Sequence, residues 1–173
     1  MILKGEKVYL KPLSLDYAKT LTKWVNDPEV IKFTIIKPLT LKEEKKWIIK
    51  TMKSDKEFIF NIFLKENNEL IGNTGYISQD DKDKNFVLGL FMGEKKRWDK
   101  GYGTDAFKTL VNYLFKKRKA KKLILDVRVE NKPAVRVYEK CGFKIVRKFK
   151  KFWERENKNY YCYLMELNAK NKI

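Results

Sequence analysis

Asn131-Lys132-Pro133-Ala134-Val135-Arg136-Val137-Tyr138-Glu139-Lys140-Cys141-Gly142-Phe143 is the stretch on which the fold turns. Asn131 suits an N-cap, since its short side-chain oxygen can accept a first-turn N–H. Pro133 falls in the first turn, where no needed donor is lost, and Gly142 stands where a chain leaves a helix. The reading is a helix over 132–141 and then a strand over 143–153. Just before it, residues 122–129 alternate as a strand, with Leu123, Leu125, Val127 and Val129 on one face and Asp126 and Arg128 on the other.

About 30 residues upstream lies Trp98-Asp99-Lys100-Gly101-Tyr102-Gly103-Thr104. The run before it, within a strand over 84–92, is short and apolar from Phe86 to Met92, as a strand buried on both faces would be. After it, Ala106, Phe107, Leu110, Val111, Leu114 and Phe115 recur at three- and four-residue spacings, one face of a helix over 102–119. The glycines therefore open a helix. Its free N–H groups and positive dipole end suit a pyrophosphate, which Gly101 and Gly103 let approach without Cβ interference. A glycine-containing turn is the plainer alternative. The spacing fits neither a dinucleotide fingerprint nor a P-loop.

The two segments together, in this order, resemble the GNAT N-acetyltransferase superfamily. Its acetyl-CoA loop normally reads Gln/Arg-x-x-Gly-x-Gly/Ala, and its later segment Asn-x-x-Ala-x-x-x-Tyr-Glu-Lys-x-Gly-Phe. Trp98 departs from the first pattern and looks like the RimJ/RimL branch, which acetylates N-termini of ribosomal proteins. Residues 5–13, the Trp24-Val25-Asn26-Asp27-Pro28-Glu29-Val30 turn and residues 70–76 also resemble that branch. The resemblance implies an α+β fold of the GNAT type: a mixed, mostly antiparallel sheet of about seven strands, splayed between 86–92 and 122–129, with about four helices. It further implies acetyl-CoA as cosubstrate. The backbone of Leu90, Phe91 and Met92 would hold the pantetheine arm, and Trp98, Asp99, Lys100, Gly101, Tyr102, Gly103 and Thr104 the pyrophosphate. Asn131, Ala134, Tyr138 and Lys140 would complete the cofactor site, with Tyr138 the proton donor to the departing thiolate. Each keeps a plainer alternative: Asn131 as an N-cap alone, and Tyr138 as a ring packed on the sheet.

Composition bounds the rest. A 173-residue chain with 43% hydrophobic residues supports one globular core without disulfide staples, read as one domain over 1–168 with a polar tail over 169–173. No apolar run is long enough to span a membrane and the start lacks a signal-peptide pattern, so the expected location is cytoplasmic. There is no histidine, and Cys141 and Cys162 lack metal-ligand spacing, so no metal is expected and the thiols read as buried. The net charge of +18 is concentrated partly at 116–122 and 147–151, either solvated surface or a docking face for CoA or an anionic partner.

Further elements are expected as a strand near 6–12, helices over 15–26 and 41–53, and strands over 57–65, 69–78 and 159–168. Thr40 and Glu43 form a capping-box pattern ahead of the second helix, and Asn67-Asn68 reads as a hairpin turn.

Acetyl transfer needs a neutral amine. An α-amine of pKa about 8 is roughly a tenth neutral at pH 7, a cost of about 1.4 kcal/mol, against about 4.6 kcal/mol for a lysine-like amine. Many relatives carry a glutamate on the strand before the loop, but Asn85-Phe86-Val87-Leu88 offers none. The remaining acids are Asp27, Glu29, Glu43 and Glu44, read as helix-terminal or surface charges. A protein N-terminus, as of a ribosomal protein, is the expected acceptor. A polyamine, aminoglycoside or nucleotide-linked amino sugar is the alternative, and a basic nucleic-acid-binding module the alternative of another class. Monomer and homodimer are both open.

Overall fold

The structure, a computed structural model, describes residues 1–80, 82 and 84–171. Eight strands form one sheet: β1 (Leu3–Lys4), β2 (Val8–Pro12), β3 (Glu57–Leu64), β4 (Leu70–Asp80), β5 (Asn85–Met92), β6 (Lys122–Arg128), β7 (Lys144–Trp153) and β8 (Lys158–Asn168). Their order is β1-β2-β3-β4-β5-β6-β8-β7, and every pairing is antiparallel except β5 with β6. Five helices accompany it: α1 (Ala18–Val25), α2 (Pro28–Ile31), α3 (Leu41–Met52), α4 (Tyr102–Lys116) and α5 (Lys132–Lys140). This is the expected mixed α+β sheet, with one strand and one helix more than anticipated. β1 has two residues and α2 a single turn, both too short to show periodicity. The turn at 67–68 is present, with Asn68 at φ 59° between β3 and β4.

Local chemistry sets the boundaries. The expected helix over 15–26 begins as a tight 3-10 turn at Leu15–Tyr17, because the Ser14 hydroxyl accepts from Asp16 N–H at 3.2 Å. It ends before Pro28, and Asp27 then caps α2 by accepting from Glu29 N–H at 3.0 Å. The capping box of α3 is complete: Thr40 N–H donates to Glu43 Oε2 at 2.7 Å, and Glu43 N–H to Thr40 Oγ1 at 3.3 Å. The last two residues of the polar tail lie outside the described residues; Ala169–Asn171 make a 3-10 turn tied to Lys121.

The sheet buries both faces. On one, Phe107, Leu110 and Leu114 of α4 pack with Val8, Ile62, Ile71, Phe86 and Leu123, all at most 1% exposed. On the other, Leu21 and Trp24 of α1 and Ile48 of α3 pack with Ile59 and Phe91. β5 is not buried on both faces as expected. Phe86 and Leu88 are buried, but Gly89 is exposed and Leu90 to Met92 are half-buried, because β6 leaves it. Parallel pairing stops at Val87 with Ile124, after which β5 follows β4 and β6 follows β8. The result is a fork.

One carboxylate ties the N-terminal edge to this fork. Asp105, in the first turn of α4, accepts from the N–H groups of Glu6 (3.0 Å), Lys7 (2.8 Å) and Val8 (3.0 Å). A Cβ on Gly5 would stand 2.7 Å from Asp105 Oδ2. Asp105→Ala strips three backbone donors of their acceptor, so urea denaturation should show about 2–4 kcal/mol lost. A loss under about 0.5 kcal/mol would mean that water replaces the carboxylate fully.

Candidate active site

The fork exposes backbone. Gly93 N–H donates to Ile71 C=O at 3.0 Å, so the antiparallel alternation turns the polar groups of Leu88, Leu90 and Met92 away from β4. The Met92 carbonyl receives the indole N–H of Trp98 at 2.9 Å. Trp98 thus pins the loop to the strand, while its ring packs with the α1 and α3 cluster. Leu90 keeps its N–H and C=O toward the gap; Phe91 instead presents its ring to the other face, 6.4 Å from Trp24.

At the mouth of the fork α4 begins. Gly101 is its N-cap at φ 80°, a left-handed conformation that glycine adopts without cost. No side chain caps the helix, leaving the first-turn N–H groups available. A Cβ on Gly101 would meet only Lys7 Nζ, at 3.8 Å, so the space above is open. Gly103 differs, since a Cβ there would come into van der Waals contact with the Met92 and Leu90 side chains.

A cavity of about 490 Å³ lies over this mouth and is lined by every one of the expected cofactor residues: Leu90, Phe91 and Met92 from β5, the whole 98–104 loop, and Asn131, Ala134, Tyr138 and Lys140 from α5 and its cap. Lys32, Arg97 and Arg136, which sequence reading passed over, line it too. Arg97 is held by Glu69 and Glu66, but Lys32, Lys100, Arg136 and Lys140 make no salt bridge among the described residues. Four cations outside salt bridges, of which Lys32 lies 5.0 Å from the Phe33 ring centroid, a bare helix N-terminus and an unpaired strand edge fit the phosphates and amide-rich arm of CoA. Asn131 is an N-cap in geometry, accepting from Ala134 N–H at 3.4 Å.

A second cavity of about 600 Å³ opens on the α3 side of the fork. The two share Phe33, Thr34, Leu90, Phe91, Asn131 and Tyr138. Gly89 forms part of its floor, and a Cβ there would meet nothing within 4 Å. The segment at 33–37 walls it, clamped from behind by Arg155, which donates to Ile31 C=O (3.1 Å) and Ile36 C=O (2.7 Å). Arg128, expected on the polar face of its strand, is instead buried. Its guanidinium sits 3.6 Å from the Tyr160 ring centroid and 4.9 Å from that of Trp153, donates to Lys32 C=O and pairs with Glu130. Aromatic stacking and that carboxylate replace most of the water it loses, and Nε alone of its nitrogens is buried without a hydrogen-bond partner among the described residues.

The four candidate acids separate. Asp27 and Glu29 both bind Lys95, at 2.8 and 2.9 Å, and that lysine's hydrogen bond holds Asp27 below the usual carboxylate range. Glu43 is held low by the Thr40 N–H in the capping box. Glu44 is not a surface charge: it is 2% exposed, lines the second cavity, and burial raises its pKa. The helical register of α3 turns positions 44, 48 and 51 inward together, a signal visible in the sequence once the helix is placed.

Tyr138 is 6% exposed, with its ring 4.9 Å from Phe107 and 6.4 Å from Phe143. Burial first, then the charges of Asp126 and Cys141, push its phenol well above the ordinary tyrosine range, so it stays protonated. Cys141 is pushed up to about 11 by burial and is inert as a nucleophile; Cys162 is buried. No cluster of metal-ligating side chains and no membrane-crossing helix occurs among the described residues.

A family profile described as an acetyltransferase (GNAT) domain matches residues 7–144. The chain is 26% identical over 142 residues to the uncharacterized N-acetyltransferase p20 of Bacillus licheniformis, covering 80% of this chain and 79% of that protein. It is also 26% identical over 144 residues to the protein YkkB of Bacillus subtilis (78% of this chain, 83% of that one). Among solved structures, a GNAT-family acetyltransferase from Bacillus anthracis superposes with a TM-score of 0.87 at 22% identity, over 98% of this chain and 99% of that one. The spermidine N-acetyltransferase of Vibrio cholerae, solved with CoA and spermine, does so with a TM-score of 0.86 at 18% identity, over 95% and 97%. A profile spanning most of the chain, laid over a forked sheet with a glycine-opened helix at its mouth, makes the assignment: the chain belongs to the GNAT acetyltransferases and is an acetyl-CoA-dependent N-acetyltransferase.

Proposed function

We propose that this enzyme acetylates the N-terminal α-amine of a protein, as a member of the RimJ/RimL-like branch. The observation that carries the reading is the meeting of two cavities at Tyr138, Leu90 and Asn131: one suited to CoA, the other to an amine. Leu90 orients the thioester through its free backbone groups. The amine enters over Gly89 and attacks the carbonyl carbon. Tyr138 gives its phenolic proton to the sulfur as the C–S bond breaks, and regains one from the nitrogen as the amide forms. A phenol of raised pKa is a reluctant acid, but this exchange spares it a full negative charge.

Charge favours a monocation. Asp126 is paired with Lys151 at 2.7 Å, which leaves Glu44 and Glu57 as the lining carboxylates outside salt bridges among the described residues. Two carboxylates beneath a surface of net charge +18 suit one ammonium group better than a polyamine. The polyamine reading draws on the spermine bound by the Vibrio cholerae neighbour and on the same two carboxylates.

The test is CoA release with Ala-Ala-Ala amide, spermidine and glucosamine as acceptors, in wild type and Gly89→Leu. The peptide should be preferred, and leucine, projecting into open space, should raise its KM by about tenfold or more without changing CoA affinity. Preference for spermidine would replace the peptide assignment. An unchanged KM would move the acceptor elsewhere.

A further inference from the structure

Resting on that reading of the second cavity as the acceptor site, we propose that Glu44 of α3 is the group that takes the proton from the acceptor amine, in place of the glutamate that β5 lacks. Three observations single it out. Its side chain is almost wholly buried, yet its carboxyl oxygens are not among the sealed, unpartnered polar atoms of the core; they reach the cavity that Glu44 lines. It has no salt bridge among the described residues, whereas Asp126, also on the cavity wall, is neutralised by Lys151. Glu57 stands at the level of Val87, three residues down the strand from Leu90, roughly 10 Å from the fork's reacting end.

The step balances. The ammonium nitrogen transfers one proton to the Glu44 carboxylate, and the neutral amine forms the C–N bond. The C–S bond then breaks, sulfur takes the Tyr138 proton, and the nitrogen returns its second proton to Tyr138. The proton left on Glu44 passes to solvent, giving amide, thiol and one released proton. Burial makes Glu44 a stronger base than an exposed carboxylate, and an entering cation favours its charged form. The other charged or titratable groups on the cavity wall are Lys37 of the 33–37 segment, Glu57 of β3, Tyr76 of β4, Asp126 and Arg128 of β6, Tyr138 of α5, Lys151 of β7 and Cys162 of β8.

The experiment compares wild type, Glu44→Gln, Glu44→Asp and the neighbouring Glu43→Gln across pH 5.5–9.5, using whichever of the three acceptors wild type turns over best. Glu44→Gln should lower kcat at pH 7 by about 10²-fold or more, with CoA affinity and melting temperature unchanged. Its rate should then climb tenfold per pH unit toward the amine's own pKa, so that the deficit closes in alkali. Glu44→Asp should recover part of the rate, and Glu43→Gln, which keeps the capping box, all of it. A raised KM with kcat intact, a deficit independent of pH, or activity within threefold of wild type would overturn the proposal. Absence of turnover by wild type with all three acceptors would instead overturn the acceptor-site reading beneath it.

Discussion

Gly101→Asp should leave the protein folded and weaken CoA binding by at least about 100-fold in isothermal titration. Gly101 opens α4 at φ 80°, and aspartate enters the left-handed region more readily than most residues, so the backbone cost is about 1 kcal/mol. A Cβ there meets only Lys7 Nζ, at 3.8 Å, so the carboxylate has room at the positive end of the helix. That end is what a pyrophosphate needs. The substitution sets a negative charge against the phosphates, which lose part of the field from Lys100, Arg136 and Lys140 as well. Gly101→Ala, carrying only the backbone cost, should lose no more than about tenfold. Equal losses in the two variants would assign the effect to backbone strain, and less than threefold for aspartate would remove this loop from the phosphate site.

The glycine-opened helix start was legible because it is a local property: two glycines, a strand before and an amphipathic helix after are all contiguous in sequence. The same holds for Asn131, whose cap and helix lie within a few residues. Where function depends on elements far apart in the chain, the sequence was mute. The second cavity is bounded by α1, the 33–37 segment, α3, six strands and α5, and no periodicity in any one of them announces a shared space. Gly89 carries no signal in the sequence, and only the fork shows that a side chain there would project into open space. Arg128 alternates with apolar neighbours as a solvent-facing residue would. Only the convergence of Phe33, Trp153 and Tyr160 from distant segments explains its burial. Glu44 is the intermediate case: its inward register follows from the capping box at Thr40, but the cavity it enters does not.

Tyr138→Phe should lower kcat by about 10²–10³-fold at pH 7 while CoA affinity stays within twofold of wild type. Phenylalanine preserves the ring contacts with Phe107 and Phe143, so the change isolates the hydroxyl. That hydroxyl has no hydrogen-bond partner among the described residues and is not sealed in the core, which leaves it free to meet the sulfur where the two cavities join. Because burial raises the phenol's pKa, Tyr138 holds its proton through the whole assay range and contributes no alkaline limb to the wild-type profile. In the variant the thiolate must leave unprotonated or draw on water. The barrier to expelling a thiolate is set by its pKa of about 8.5 and not by bulk pH, so the deficit should stay level across the assay range. This sets Tyr138 apart from Glu44, whose loss is relieved as the amine itself approaches neutrality, and the double variant should keep the Glu44 pH dependence at a lower overall rate. A fall in CoA affinity or melting temperature with kcat preserved would make Tyr138 a packing residue alone, and the proton for the sulfur would then have to come from solvent.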